Sequence, residues 1–301
     1  MKPPRIQNIT ELHSLLGLPG PEHPLISVIN VETVKRSFEK KPASLIFDFY
    51  AIALKHNSGG KFAYGQEQYD VKEGVMFFLA PGQVFIPPEV AEEQMSGWAL
   101  YVHPDFLWST SLAGSIKRYE YFDYSVNEAL FLSEKEEAII VGVMQQIQME
   151  YFTNIDKFSQ DIIISQVETL LNYADRFYHR QFLTRKIESH QMLDRLEAFL
   201  TSYFNDADLI IKGLPTVQYV AEKLNLSANY LSSLLRVLTG RNLQQHIQDK
   251  MIEKAKEKIA NTELSVSEIS YEFGFDHPQS FSRLFKAKTG ITPLAFRRAF
   301  N

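Results

Sequence analysis

Two short stretches near the C-terminus place polar side chains on what would be the outward face of a helix. The first holds Asn229, Ser232, Ser233 and Arg236; the second holds His277, Gln279, Ser282, Arg283 and Lys286. Such groups recognise rather than react. A carboxamide offers a donor and an acceptor side by side, a guanidinium offers a fork of donors, and an ammonium is a compact point charge. The intervening apolar residues, Leu231, Leu234 and Leu235 in one stretch and Phe281, Leu284 and Phe285 in the other, fix which face turns inward.

Reaction chemistry finds little support. The chain has no cysteine, which excludes thiol nucleophiles, thiolate metal sites and disulfides. No phosphate loop, nucleophile elbow or dinucleotide-binding glycine pattern is present. In the strand-rich region, His56 and His103 stand 47 residues apart with no H-x-H pair. His103-Pro104-Asp105 reads as a turn closing a strand rather than a ligand set. We expect no cofactor, no metal and no enzymatic activity.

The elements that must position the polar residues recur. Val220-Ala221-Glu222-Lys223-Leu224-Asn225-Leu226 returns 49 positions later as Ile269-Ser270-Tyr271-Glu272-Phe273-Gly274-Phe275. Leu231 to Arg236 returns 50 positions later as Phe281 to Lys286, and Thr239-Gly240 as Thr289-Gly290. Each copy predicts a helix, a tight turn and a second helix. Thr216 and Ser227 cap the first copy, and Ser265 with Glu268 forms a capping box in the second. Asn225 and Gly274 suit the left-handed turn, and small Ala221 and Ser270 let paired helices approach.

This segment resembles the DNA-binding domain of AraC/XylS-type transcription regulators. The second copy carries Gly274-Phe275, Phe281 to Lys286, Thr289-Gly290-Ile291-Thr292-Pro293 and Phe296-Arg297; the first carries Ser227, Tyr230-Leu231-Ser232, Thr239-Gly240 and Ala255. Three departures stand out. Met251 lies at or beside a usual arginine, with only Lys250 charged nearby; Leu235 replaces a common phenylalanine, and Ser270 a common alanine. The resemblance implies two helix-turn-helix motifs, at about 216–240 and 265–290, joined by a helix from Leu243 to Ala260. Their recognition helices would read successive major grooves of double-stranded DNA. Asn229, Ser232, Ser233, His277, Gln279, Ser282 and Arg283 would face bases, with Asn229 and Gln279 suiting adenine and Arg283 guanine. Ser227, Arg236 and Lys286 would face phosphate. Arg297 reads as a structural helix-capping charge.

The rest of the chain predicts a different architecture. Segments 44–54, 62–69, 75–79, 84–86 and 97–102 read as short strands, with turns at 57–60, 72–74, 80–82 and 87–88. The resemblance implies a cupin-like β-barrel here, giving an α+β multidomain chain: barrel 1–132, helical pair 133–182, DNA-binding unit 183–301. Aromatic residues such as Phe47, Phe49, Tyr64, Tyr69, Phe77 and Trp98 would either stack on a ligand or fill a core. In the pair, Ser133 and Glu136 box the start of a helix carrying Ile140, Val143, Ile147 and Tyr151. A second helix from about Ser159 to His179 carries a heptad seam, Ile163, Val167, Leu170, Ala174 and Phe177, that serves either its own barrel or a dimer. Polar 180–191 is the expected boundary.

Charge follows the same division. Residues 183–301 hold 16 Lys and Arg against 13 Asp and Glu, a formal +3, while residues 1–182 hold 15 against 23, a formal −8. Hydrophobic residues at 45% and charged residues at 22% fit folded domains. No targeting signal or membrane-length apolar run is read. The expectation is a cytoplasmic homodimeric regulator that binds a small-molecule effector and meets RNA polymerase. A ligand-independent regulator and a barrel enzyme tethered to DNA are the alternatives.

Overall fold

The computed structural model describes residues 3–33, 44–56, 62–64, 67–69, 74–86, 96–125, 128–153, 156, 158–184, 186–206 and 209–299. The chain divides into two compact units, Met1–Gln181 and Phe182–Asn301.

The first unit begins with β1 (Arg5–Ile6), α1 (Ile9–Leu16) and β2 (Ile26–Asn30), none of them expected from sequence. Strands β3 (Leu45–Phe47), β4 (Tyr50–His56), β5 (Phe62–Tyr64), β6 (Glu67–Tyr69), β7 (Gly74–Leu79), β8 (Val84–Phe85), β9 (Ser96–Val102) and β10 (Leu130–Leu132) follow, with short α2 (Ser111–Ser115) before the last. The largest sheet is antiparallel with order β10-β7-β4-β9-β2; β1-β3-β8 forms a second and β5-β6 a third. The described strands therefore make three sheets and do not close into the single barrel expected.

The apolar run at 44–54 is two strands in two sheets. At the break, Asp48 N–H donates to Ile6 C=O at 3.0 Å and the Asp48 carboxylate accepts from Arg5 Nε at 2.7 Å. These bonds hold β3 against β1 while β4 turns to the centre of the large sheet. The turn at 80–82 is observed, and His103 caps the turn after β9, its Nδ1 accepting from Asp105 N–H at 3.2 Å. The turns at 57–60, 72–73 and 87–88, Gly65, and the side chains of His56, Tyr64 and Tyr69 lie outside the described residues.

Among the described residues, several candidates for ligand stacking pack on one another. Phe47 meets Phe49, Phe85 and Tyr101, and Phe77 stacks on Phe85 at 5.8 Å. Phe47, Phe49, Phe77, Phe78 and Trp98 are all buried, so they form core.

Helix α3 (Glu134–Tyr151) begins as expected: Ser133 N–H donates to Glu136 Oε2 at 2.9 Å, and Ile140, Val143, Ile147 and Tyr151 are buried. Helix α4 (Ser159–Thr184) buries its whole heptad seam inside its own unit. Arg180 holds Glu136 through two bonds of 3.0 and 2.6 Å, and buried Gln181 pairs with the edge of β10 through Phe131 N–H and Ala129 C=O. The polar boundary expected at 180–191 is thus helical on both sides of residue 185, because Arg, Gln, Lys and Glu are good helix formers.

The second unit is helical: α5 (Lys186–Phe204), α6 (Leu209–Lys212), α7 (Val217–Lys223), α8 (Ala228–Thr239), α9 (Leu243–Asn261), α10 (Val266–Glu272), α11 (Pro278–Thr289) and α12 (Pro293–Arg298). One continuous core joins them, from Leu196 and Leu200 of α5 through Leu231 and Leu235 to Ile269, Phe273, Phe281 and Phe285. Among the described residues, no helix is long and apolar enough to cross a membrane.

Candidate nucleic-acid interface

The two copies of the repeat fold alike, and several of their hydrogen bonds correspond. Thr216 caps α7 and Ser227 caps α8, their hydroxyls accepting from Tyr219 and Tyr230 N–H at 3.1 and 3.3 Å. The turn between them holds Asn225 at φ 60°, and the matching turn holds Gly274 at φ 75°. The Thr-Gly recurrence is a helix stop. Thr239 and Thr289 Oγ1 each donate to the carbonyl four residues back, Leu235 and Phe285, both at 2.8 Å. Gly240 and Gly290 then turn left-handed, at φ 73° and 83°. Two residues on, Asn242 and Thr292 cap the next helix in each copy. This last correspondence escaped the sequence reading, although the residues stand 50 apart.

With Leu231, Leu234, Leu235, Phe281 and Phe285 buried, the opposite face of α11 meets solvent, while that of α8 is half-buried apart from its C-terminal end. Arg236, His277, Gln279, Arg283 and Lys286 are exposed, and Ser227, Asn229, Ser232, Ser233 and Ser282 are half-buried. His277 occupies the N-cap of α11 without a side-chain capping bond, ahead of Pro278. Among the described residues, Arg283 and Lys286 have no acidic partner. Other cations of this unit are tied down. Arg241 and Lys288 share Asp249 at 2.7 and 2.9 Å, and Lys258 meets Glu272 at 2.7 Å.

The departures resolve structurally. Met251 is fully buried, so a charge there would stand in the core, and Lys250 lies 3.1 Å from Glu253 and 3.9 Å from Glu197. Arg297 caps the end of α9, donating to Ile259 C=O at 3.2 Å and Leu264 C=O at 2.6 Å. Ser270 is fully buried, and among the described residues its Oγ has no hydrogen-bond partner. His246 is half-buried, and burial pushes its pKa below the ordinary value. Thr239 Oγ1 has spent its proton on Leu235, so it accepts from His246 Nε2 at 2.9 Å, tying the end of α8 to α9. No group of three His, Cys, Asp or Glu able to hold a metal occurs among the described residues.

Comparison with known proteins matches residues 220–299 to a helix-turn-helix domain family. An HTH-type transcriptional regulator of Bacillus subtilis (strain 168), YfiF, is 25% identical over 259 residues, covering 84% of this chain and 77% of that protein. The arabinose operon regulatory protein of Escherichia coli (strain K12) is 35% identical over 122 residues, 39% of this chain and 41% of that protein. Among solved structures, the C-terminal domain of the two-component response regulator yesN from Fusobacterium nucleatum is 30% identical, with a TM-score of 0.30, covering 35% of this chain and 95% of that one. The repeat, its surface, the matching domain family and the two sequence relatives define a DNA-binding transcriptional regulator. Its C-terminal unit is an AraC-type helix-turn-helix domain.

Proposed function

We propose that one chain reads two successive major grooves on one face of a duplex, α8 entering the first and α11 the second. Asn229, Ser232 and Ser233 read bases in one groove; His277, Gln279, Ser282 and Arg283 read them in the other. Ser227, Arg236 and Lys286 hold phosphate. The carrying observation is the paired polar surface of two equivalent motifs, with exposed Arg283 and Lys286 unpaired by acids among the described residues. The 19 residues of α9 span roughly 28 Å, comparable to one turn of B-DNA at about 34 Å.

In this reading the sheet-rich region 1–132 is a cupin-like regulatory module that binds a small-molecule effector. The helical pair 133–182 joins two copies in a cytoplasmic homodimer, which meets RNA polymerase. Because the α4 seam is buried, a second copy would use other residues. Met149, Phe152 and Ile162, at the end of α3 and the start of α4, are apolar and exposed. The effector acts only through its differential affinity for the states that present the DNA-binding unit.

Selection of genomic fragments by the full chain tests this reading. A motif of two blocks about one turn apart is expected. Enrichment of a single block defeats the two-groove reading. Enrichment of none, by either the full chain or residues 183–301, defeats DNA recognition.

A further inference from the structure

The first unit holds a partly open pocket of about 290 Å³, away from the aromatic core, between the segment before β2, the end of α3 and the start of α4. Leu25, Phe106 and Ile163 give it apolar walls, and no Lys or Arg lines it among the described residues. At roughly 30 Å³ per water, it has room for about ten waters or one small organic molecule.

Most polar groups of the lining are already spent. Tyr151 Oη accepts from Glu22 N–H at 2.8 Å, and burial pushes its phenol up, so it keeps its proton. Tyr151 Oη is also hydrogen-bonded to Ser27, whose Oγ lies 2.7 Å from buried His13 Nε2, while His13 Nδ1 donates to Pro19 C=O at 2.6 Å. Asp156 accepts from Phe158 and Ser159 N–H at 2.8 and 3.1 Å.

Besides Asp156 Oδ2, two groups are not spent among the described residues. Leu25 N–H donates to His23 Nδ1 at 3.1 Å, and burial pushes the His23 pKa down, so its ring is neutral with a single proton on Nε2. Gln160 Nε2 donates to Phe106 C=O at 2.7 Å, which leaves Oε1 as an acceptor. The lining thus offers one N–H donor and one amide acceptor beside aromatic and aliphatic walls, and among the described residues its one charge is the Asp156 carboxylate.

We infer that this cavity is a binding site for a small uncharged carboxamide or lactam on an aromatic or aliphatic body. The ligand's carbonyl accepts from His23 and its N–H donates to Gln160. An anion is disfavoured by Asp156, with no cation in the described lining to pair it, since a charge taken from water needs a partner. The inference gives a location to the effector of the proposed function, and rests on that reading only for its effect on DNA.

The test titrates the full-length chain with benzamide, and with benzoate as its anionic isostere, by saturation-transfer NMR. Benzamide is expected to bind saturably at millimolar concentration and benzoate not to bind. His23→Phe keeps the ring packing on Phe106 and removes the donor; Gln160→Met keeps the volume and removes the acceptor. Each should weaken benzamide roughly five- to tenfold, the loss of one hydrogen bond. If one variant fails to fold, the other carries the test. Equal binding of benzoate, no saturable benzamide binding, or unchanged affinity in the folded variants overturns the assignment. DNA affinity is measured in the same samples. Benzamide binding that leaves DNA affinity unchanged removes the sensing role while the site stands.

Discussion

Arg283 and Lys286 lie three positions apart on one helix yet should fail differently. A guanidinium bidentate to guanine carries sequence information, so Arg283→Ala should cost about 1–3 kcal/mol and relax the preference at one base pair. Lys286→Ala should weaken binding to every sequence alike and make the salt slope shallower by about one unit. Binding-site selection and a salt titration separate the two, and an unchanged preference in the Arg283 variant defeats its base-reading role. Ser270 makes the opposite kind of prediction. Its hydroxyl is buried without a partner among the described residues, a burden of about 1–3 kcal/mol, and alanine fits the same space. Ser270→Ala should therefore raise the melting temperature and leave DNA affinity unchanged; a lower melting temperature would mean that the hydroxyl is bonded after all.

Among elements, the turn of each motif shows what one sequence reveals and what it hides. The need for a left-handed residue at Asn225 and Gly274 is local, so it was legible, as were the capping boxes at Ser133 and Ser265. Hidden was the backbone that approaches Gly274 from elsewhere. A Cβ there would lie 2.6 Å from Gly213 Cα, whereas a Cβ on Gly213 would lie 3.7 Å from Gly274 Cα. Gly274→Ala should thus add a clash to the left-handed strain of about 1–2 kcal/mol, whereas Gly213→Ala should cost the strain alone. Urea unfolding of both variants checks the order, and equal losses would show that the close approach relaxes without cost. Strand pairing was hidden for the same reason. Nothing near residues 44–54 in sequence states that Asp48 binds Arg5, and that contact accompanies the division of one apolar run between two sheets. The faces of α8 and α11 were legible because a 3.6-residue period needs no partner to be read. Polarity at 180–191 misled because it signals exposure as readily as it signals a linker, and there it belongs to helices.

Across the whole molecule, the opposed charges of the two units bear directly on DNA. The C-terminal +3 favours a polyanion, and the −8 of the remaining residues disfavours it. Screening grades the penalty. The Debye length falls from about 30 Å at 0.01 M salt to about 8 Å at 0.15 M, so distant acidic groups act mainly when salt is low. On a duplex carrying one site and too short for two chains, residues 182–301, to which Phe182 adds no charge, should bind more tightly than the full chain at low salt. The advantage should shrink as salt rises, even while counterion release weakens both. Fluorescence anisotropy over a salt series measures the ratio of the two affinities. A ratio that stays constant would remove electrostatics as its source and leave a conformational hold by the first unit, the behaviour expected of a regulator awaiting its ligand. A ratio that falls towards one means that charge alone sets the difference, and any effector must then act on how the DNA-binding units are presented rather than on whether they are accessible.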